Sequence, residues 1–459
     1  MNKEGYIIPE KRKKIILITD DIRVHSGVAQ IGKELVLNTS HHYNWSCLAG
    51  SVTHPDKGKM TDISQQINEE SGIDDASVKL EQPDAILLIT DPRYFEWVFN
   101  MEEELRTSIP IAYLNIWDDM PAPQYNEEFY ESCDALFGIS KQTVAINRIV
   151  LGKKADDKVI KYVPHGLNND KFFPMSEIND EYTKFKNSIT GGKDKDFILF
   201  FNSRNIRRKA IPDTLAAWKL FVDGLPEEKK DKVLFILHTE VMSAHGTDIP
   251  AVIEYLMGED DKTVIVSNQK LPTSHMNYLY NMADGVILLS SAEGWGLSLT
   301  ESLLTGTPFI ANVTGGMQDQ MRFVDENGNW YTNSIEVPSN HNGTFKEHGR
   351  WVLPVFPKAL GMVGSPQTPY IWDSRCDFKD AKDRIVELYQ MSNKERKERG
   401  NEGKEWALSD EAGFTSKNMA KIFTSGMEEL FVTWKPRKKF TFWKDTDFEI
   451  RTLKHKLEY

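Results

Sequence analysis

Residues 290–316 have the sequence SSAEGWGLSLTESLLTGTPFIANVTGG. The apolar run GVILLSS (285–291) predicts a buried strand that ends in this stretch, and a helix is predicted to begin near Leu297. A second strand, TPFIANV (307–313), follows the helix. A strand, a glycine-bearing loop and a helix that leads to the next strand form the repeating unit of a parallel sheet. The stretch therefore predicts an α/β fold.

The same alternation of short apolar strands and helices occurs in two series along the chain. Strands are predicted over residues 13–21, 83–90, 109–117, 133–140 and 158–164 in the first series, and over 197–203, 233–239, 262–268, 285–291 and 307–313 in the second. Such alternation indicates parallel sheets covered on both faces, so we expect two Rossmann-like, doubly wound domains. Because open α/β sheets bind ligands beyond the carboxyl ends of their strands, we expect the site in a cleft between the domains.

The predicted domain boundaries follow changes in composition. The N-terminal domain spans residues 1–174, a polar linker spans 175–195, and the C-terminal domain spans 196–415. Residues from about 323 to 373 are rich in Asn, Gly, Pro and aromatic side chains, which indicates a long irregular insertion. Residues 416–459 are expected to form a helix that returns towards the N-terminal domain, followed by a basic, aromatic tail.

The loop before the helix at Leu297 has the residues of an anion site. Backbone amides at a helix start bind anions, and Gly294 and Gly296 let the backbone approach a phosphate closely. Glu301, inside the helix, can accept hydrogen bonds from ribose hydroxyls, and Glu293, in the loop, can face a sugar ring. An ordinary helix start with acidic residues near its N-terminus is the alternative interpretation.

The whole segment resembles the Glu-x7-Glu signature of the retaining, family-four type of GT-B glycosyltransferase. The elements of that signature occur in order as Ala283-Asp284, Glu293-Gly-Trp-Gly-Leu297, Glu301, Gly306-Thr-Pro308 and Gly315-Gly316. The resemblance implies the GT-B fold, in which two Rossmann-like domains face each other across a cleft. It covers roughly residues 14–432 and is weakest in 40–80 and 323–370.

Further parts of the chain resemble the same family. The stretch NSRNIRRKA resembles its Arg-x4-Lys element, and VPHGLNNDKFFP (163–174) resembles its interdomain segment, where His165 is expected to be a hinge residue. Gly27 resembles the glycine of the loop after the first strand, which approaches the donor phosphates. A solvated charge run is the alternative for the basic stretch. The resemblance implies donor-binding roles for Gly27, Arg204, Lys209, Gly294, Gly296, Leu297, Ser298 and Glu301.

One strand end departs from the family pattern. The family often has His-Asp there, where the His contacts the donor sugar, but this chain has Trp117 and Asp118, followed by Asp119. We therefore expect that Asp118 or Asp119 faces the sugar, or that the donor is bound differently; Trp117 either takes part or packs in the core. His238, at a strand end of the second domain, is a further candidate for contact with the donor.

The chemistry implied by the resemblance is transfer of a hexose or pentose from a nucleotide-diphosphate sugar to an acceptor hydroxyl, with retention of anomeric configuration. Glu293 is the expected catalytic residue, together with Asp118 or Asp119. No cofactor is expected besides the donor substrate. GT-A enzymes use a metal-binding Asp-x-Asp motif; the candidate for it here, Asp445–Asp447, lies in the tail, which is the wrong place for that motif. His41-His42 lacks the spacing of metal ligands, so we predict no metal site.

The acceptor is left open between two main classes, with a protein or lipid as a further one. A saccharide or other small hydroxyl compound is one; a modified DNA base is the other, because the chain is also similar to bacteriophage glycosyltransferases, some of which modify DNA. The net charge of −12 disfavours nucleic acid, but residues 433–459 hold eight basic and four acidic residues among aromatics, a mixture that can bind phosphates and stack on bases. The alternatives for this tail are contact with an anionic membrane surface and packing of its aromatic side chains on the N-terminal domain. A GT-B sugar-nucleotide binder or epimerase without transfer activity is a further alternative.

Composition and termini indicate a cytoplasmic protein. Hydrophobic residues make up 40% and charged residues 27%, as in a typical globular chain. The cysteines Cys47, Cys133 and Cys376 are too few and too widely spaced for a disulfide framework. We see neither a signal peptide nor an apolar run long enough for a transmembrane helix.

Overall fold

The computed structural model describes residues 5–49, 59–72, 82–176 and 179–438. It contains two parallel six-stranded sheets with helices on their faces, which confirms the predicted α/β fold of two Rossmann-like domains. The central strands are apolar on both faces; Ala85–Ile89, Ile111–Asn115 and Ala135–Gly138 are buried throughout. Burial on both sides is what the continuous apolar runs of the sequence predict.

The N-terminal sheet has the strand order β2-β1-β3-β4-β5-β6. Its strands are β1 (Lys13–Thr19), β2 (Tyr43–Ala49), β3 (Ala85–Ile89), β4 (Ile111–Asn115), β5 (Ala135–Gly138) and β6 (Val159–Tyr162). The C-terminal sheet has the order β12-β11-β10-β7-β8-β9. Its strands are β7 (Phe197–Asn202), β8 (Val233–His238), β9 (Val264–Ser267), β10 (Gly285–Leu288), β11 (Phe309–Asn312) and β12 (Val352–Val355).

Helices connect successive strands and cover the sheets. In the N-terminal half they are α1 (Gly27–Thr39), α2 (Ser64–Ser71), α3 (Glu96–Phe99), α4 (Glu102–Leu105), α5 (Glu127–Glu131) and α6 (Lys141–Leu151). The rest are α7 (Asp180–Thr190), α8 (Ile211–Asp223), α9 (Glu227–Lys230), α10 (Ile249–Met257), α11 (Thr273–Met282), α12 (Leu297–Leu304), α13 (Phe378–Gln390), α14 (Asn393–Leu408) and α15 (Ser416–Thr433).

The segment predicted as a linker contains a helix. Helix α7 occupies residues 180–190, and Tyr182 of that helix packs edge-on against Tyr278 at a ring-centroid distance of 5.5 Å. Polar side chains dominate the segment, but Tyr182, Phe185 and Ile189 recur at helical spacing and pack on the C-terminal domain. Because most residues of the segment are polar, the sequence did not indicate that these three apolar residues form one face of a helix.

The irregular insertion contributes both a core strand and an exposed hairpin. Strand β12 lies inside it and pairs in parallel with β11, so part of the insertion completes the C-terminal sheet. Strands β13 (Ala359–Val363) and β14 (Ile371–Arg375) then form a two-stranded antiparallel hairpin. We call residues 359–375 the inserted hairpin.

Helix α15 lies against the N-terminal domain. Phe423, fully buried, stacks on Trp45 of β2 at 6.1 Å and meets Phe137 of β5 edge-on at 5.6 Å between ring centroids. The close packing of α15 on the Phe137 ring requires glycine at position 426, because a Cβ there would lie 2.6 Å from the ring. Residues 439–459, most of the predicted basic tail, lie outside the described residues, as does Asp445–Asp447.

Candidate active site

Glycines bring the loops of the two domains into backbone contact. The loop after β4 supplies Ile116, whose carbonyl oxygen would lie 2.6 Å from a Cβ on Gly294. Gly315 and Gly316 likewise lie directly against backbone atoms of Glu293 and Gly294. The Glu293 amide donates to the Asp118 carbonyl oxygen at 3.1 Å, so the two domains meet at the loop that contains Glu293. Larger residues at these positions would push the loops apart.

Glu293 lies in a buried group of charges. It is 8% exposed and accepts hydrogen bonds from Arg208, at 2.9 Å, and from the ammonium group of Lys209. Burial disfavours its ionised form, but the two cations outweigh burial and hold the pKa of Glu293 well below its usual range. Glu293 is therefore a carboxylate at neutral pH. Burial lowers the pKa of Lys209, although the adjacent Glu293 opposes that shift.

The two aspartates after β4 have different environments. Asp118 accepts a hydrogen bond from the Gly294 amide at 2.9 Å and pairs with Arg208 at 3.5 Å, and about a third of its side chain is exposed. Asp119 is buried and accepts from Thr314, Ser374 and the Met120 amide. Burial raises the pKa of Asp119 to about 6. Asp118 thus lines the cleft, whereas Asp119 is buried in the contact between the domains. The structure therefore distinguishes the two aspartates that the sequence predicted as candidates.

The starts of two helices meet across the cleft. Gly27, the first residue of α1, lies beside Leu297, the first residue of α12; a Cβ on Gly27 would lie 3.4 Å from the Leu297 side chain. Gly296 caps α12 with φ +88°, a left-handed conformation that glycine adopts readily. Ser298 follows and is buried. The N-terminus of each helix carries the positive end of its dipole, so the two helix starts together favour an anion between them.

Glu301 lies within α12 and is held by two donors. Its Oε2 accepts hydrogen bonds from Asn202, at 3.1 Å, and from the Tyr280 hydroxyl. Burial raises the pKa of Glu301 to about 7, although both donors favour the ionised form. Its second oxygen has no protein donor among the described residues and can accept from a ligand hydroxyl.

The basic stretch after β7 divides into paired and unpaired cations. Arg208 and Lys209 are engaged with Glu293. Arg204 and Arg207 are exposed and form no ion pair with any described residue. The sequence predicted Arg204 and Lys209 as the donor cations; the structure adds Arg208, which links the domains by pairing with both Asp118 and Glu293.

The remaining candidates lie around this centre. Trp117 is 7% exposed and packs in the N-terminal core, with the Arg93 guanidinium 5.5 Å from its ring centroid. His165 is buried, and burial lowers its pKa to about 3, so its ring is neutral. His238, at the end of β8, contacts the Ser267 hydroxyl through Nδ1 at 3.1 Å, and burial lowers its pKa. None of these three pairs with Glu293 within the described part of the chain.

A cavity of about 500 Å³ opens beside Asp118 and Arg208. The ends of β3 and β4 form one side, the C-terminal loop at Ser291 and Ala292 forms another, and the inserted hairpin forms the third. Thr90 at the end of β3 has φ +112°, a strained conformation for a β-branched residue, and it lines this cavity. Arg93 and the hairpin were not predicted as parts of the site, because their positions beside the cavity depend on contacts between segments that are distant in sequence.

Two further features concern the part of the chain that the structure describes. No group of three or more His, Cys, Asp or Glu side chains there is arranged to hold a metal ion. No helix in the same residues has both the length and the apolar character to cross a bilayer.

Comparison with known proteins identifies similar sequences and structures. No family model matches the chain. It is 24% identical over 204 residues to mannosylfructose-phosphate synthase of Agrobacterium fabrum, an alignment covering 42% of this chain and 41% of the relative. It is 30% identical over 152 residues to alpha-monoglucosyldiacylglycerol synthase of Streptococcus pneumoniae, covering 33% of this chain and 32% of the relative. The chain thus aligns with well under half the length of either curated relative.

Similarity to solved structures extends over nearly the whole chain. The Anabaena protein HepE, solved in complex with UDP-glucose, superposes with a TM-score of 0.60 at 13% identity, covering 91% of this chain and 99% of that chain. The two six-stranded parallel sheets of this chain are part of the superposed region, which spans nearly all of it. The chain also superposes on a glycosyltransferase from Rickettsia africae with a TM-score of 0.58 at 12% identity, covering 93% of this chain and 100% of that chain, and it therefore has the GT-B fold.

Proposed function

We propose that this protein is a retaining glycosyltransferase that transfers a sugar from a nucleotide-diphosphate sugar to an acceptor hydroxyl without a metal ion. The observation that carries the proposal is Glu293, held as a carboxylate by Arg208 and Lys209 beside the start of α12. A fixed negative charge suits a sugar that develops positive charge, and nearby cations suit a leaving diphosphate. The curated relatives and HepE are in keeping with this activity.

In the proposed reaction, each part of the donor lies next to side chains or helix ends of suitable charge. The diphosphate lies between the starts of α1 and α12, near Arg204 and Lys209, while Glu301 accepts hydrogen bonds from the ribose. The bond from the anomeric carbon to the phosphate oxygen breaks, and its electron pair leaves with the nucleoside diphosphate. The acceptor oxygen attacks from the same face, and its proton passes to the departing phosphate. Asp118 lines the acceptor side of the cleft.

A saccharide or another small hydroxyl compound is the acceptor that the cavity supports, because its volume of about 500 Å³ lies in the range of small-molecule sites, about 300–1,000 Å³. UDP-glucose is the first donor to test, since HepE was solved with it. The DNA alternative rests on the similarity to bacteriophage glycosyltransferases and on the basic tail, most of which lies outside the described residues. A binder or epimerase without transfer would release no nucleoside diphosphate.

The test is the Glu293→Gln variant. Glutamine preserves shape but removes the charge beside the reacting carbon, so we expect nucleoside-diphosphate release from UDP-glucose to fall more than tenfold while the protein stays folded. Glu259→Gln, an exposed glutamate in a loop, is the matched control and should retain full activity. Turnover of Glu293→Gln equal to that of the parent would contradict the assignment. NMR of the product's anomeric proton distinguishes retention from inversion.

A further inference from the structure

The inserted hairpin belongs in sequence to the C-terminal domain but lies against the N-terminal domain. The Trp372 amide donates to the Met120 carbonyl oxygen at 2.7 Å. The Tyr125 hydroxyl donates to the Tyr370 carbonyl oxygen at 2.9 Å, and the two tyrosine rings meet edge-on at 4.8 Å between centroids. The hairpin therefore crosses the cleft and is held in place on its far side.

The turn of the hairpin is also held over the end of β3. The Arg93 guanidinium donates to the Thr368 hydroxyl at 2.5 Å and to the Gln367 carbonyl oxygen. Arg93 is itself positioned by Asp91, which accepts from its Nε at 2.6 Å. One arginine thus fixes the turn relative to the N-terminal sheet.

The hairpin supplies one complete side of the cavity. Seven of the lining residues belong to it, all between Val363 and Asp373. Without these residues the remaining walls, the strand ends and the loop at Ser291, would form an open groove. The hairpin therefore limits the length of molecule that the cavity can enclose.

The charges on the N-terminal and hairpin sides of the cavity already have partners. Asp91 pairs with Arg93, Asp118 pairs with Arg208 at 3.5 Å, and Asp373 lies 3.7 Å from Arg375. An ionic acceptor would have to break one of these pairs, whereas hydroxyl groups can hydrogen-bond to both members of a pair. Arg207, on the C-terminal side of the cavity, is exposed and forms no ion pair with a described residue. The proposed function assigns that side to the donor, so Arg207 is available to the donor's phosphates.

We infer that the inserted hairpin selects the acceptor and restricts it to a neutral mono- or disaccharide. The inference rests on the proposed function, since it concerns the acceptor side of the same cleft. It makes Thr368 and the turn around it determinants of specificity that act by closing the cavity. Long polysaccharides, sugar phosphates and oligonucleotides are excluded as preferred acceptors.

The test removes the turn of the hairpin, together with the anchoring residue Tyr370, and keeps the paired strands. Val363 and Ile371 are directly paired, so residues 364–370 can be replaced by Asn-Gly, a two-residue turn that suits a hairpin. Ile371 and Trp372, which pack on the N-terminal core, are retained. Thr368→Val removes the acceptor of the Arg93 hydrogen bond with little change of shape. Thr344→Val, at an exposed position elsewhere in the insertion, is its control.

Two measurements are made on parent and variants. The first is saturation-transfer NMR with glucose, mannose, fructose, sucrose and maltose, which reports binding without turnover. The second is stimulation of UDP release from UDP-glucose by those sugars, by maltoheptaose, by glucose 6-phosphate and by a single-stranded oligonucleotide. We expect a neutral mono- or disaccharide to bind and stimulate the parent. Its KM should rise at least tenfold in the shortened variant and several-fold in Thr368→Val, with Thr344→Val unchanged.

Several results would overturn the inference. They are an unchanged KM in the folded, shortened variant, a parent that prefers maltoheptaose, glucose 6-phosphate or the oligonucleotide, and a parent that neither binds nor responds to any of the five sugars. Failure of the proposed function is a different result: no UDP release under any condition and no thermal shift with UDP-glucose. In that case sugar binding to the parent and its loss on shortening still decide the role of the hairpin.

Discussion

Arg204 and Lys209 have the same charge and lie five positions apart, but their environments make them respond differently to removal. Arg204 is exposed and unpaired in the described structure, while Lys209 is buried against Glu293. We expect Arg204→Ala to weaken UDP binding by about 1.5–3 kcal/mol, the range for a hydrogen bond to a charged group, without loss of stability. Lys209→Ala should weaken UDP binding in the same way and should in addition lower the free energy of unfolding. Breaking a buried ion pair costs about 3–5 kcal/mol, and this is the upper limit here because Arg208 still neutralises Glu293.

Calorimetric titration with UDP and urea unfolding separate these two effects. Arg148→Ala, an exposed arginine on α6, is the control and should change neither quantity. Equal UDP affinity in the parent and both variants would remove these cations from the donor site. A stability loss in Arg204→Ala would mean that Arg204 has a structural partner.

Glu301 provides a pH-dependent prediction at the same scale. Burial raises the pKa of Glu301 from about 4.5 to about 7 on folding. Between these pH values Glu301 ionises more readily in the unfolded chain, so the free energy of unfolding falls as pH rises from about 4.5 through 7. Glutamine cannot ionise, and its single amide oxygen can still accept from Asn202 and Tyr280, which both donate to one oxygen of Glu301. We therefore expect Glu301→Gln to gain stability relative to the parent between pH 5 and pH 8 in urea unfolding. A difference that stays constant with pH would contradict the raised pKa, and Glu259→Gln should show such a constant difference.

Helix α15 is the element that ties the end of the described chain to the N-terminal sheet. Phe423 is fully buried between Trp45 and Phe137, so Phe423→Ala removes a large side chain from a packed interface. We expect a loss of about 3–5 kcal/mol in the free energy of unfolding. Val432→Ala, on the same helix but 83% exposed, should change stability by less than about 0.5 kcal/mol. A small effect at Phe423 would show that α15 is not part of the cooperative fold.

For the whole molecule, the central prediction is independence from metal ions. The proposed chemistry uses Arg204, Lys209 and two helix starts to stabilise the leaving diphosphate, so the reaction requires no divalent cation. We expect UDP-glucose turnover to persist in excess EDTA at the rate seen without it. Loss of turnover in EDTA with recovery on addition of Mn²⁺ or Mg²⁺ would contradict this mechanism and indicate a metal-dependent site.

The sequence by itself determined the parallel sheets and the positions of Glu293 and Glu301 around one helix start, while their role in an active site stays a prediction. Both depend on local order: apolar runs such as 197–203 are buried on both faces whatever their neighbours, and the spacing from Glu293 to Glu301 fixes their places around one helix start. Strands β2 and β12 were missed because they lie at sheet edges, where YNWSCLA and VLPV have neither a long apolar run nor a regular alternation.

Only the tertiary structure decided which polar groups meet. Asp118 and Asp119 are adjacent in sequence, yet Asp118 lines the cleft and Asp119 accepts hydrogen bonds from Thr314 and Ser374. Arg208 pairs with Asp118 from a distant part of the chain, and the inserted hairpin reaches the N-terminal domain through Arg93. Local sequence carries no signal for such contacts, since they depend on how the two domains pack against each other.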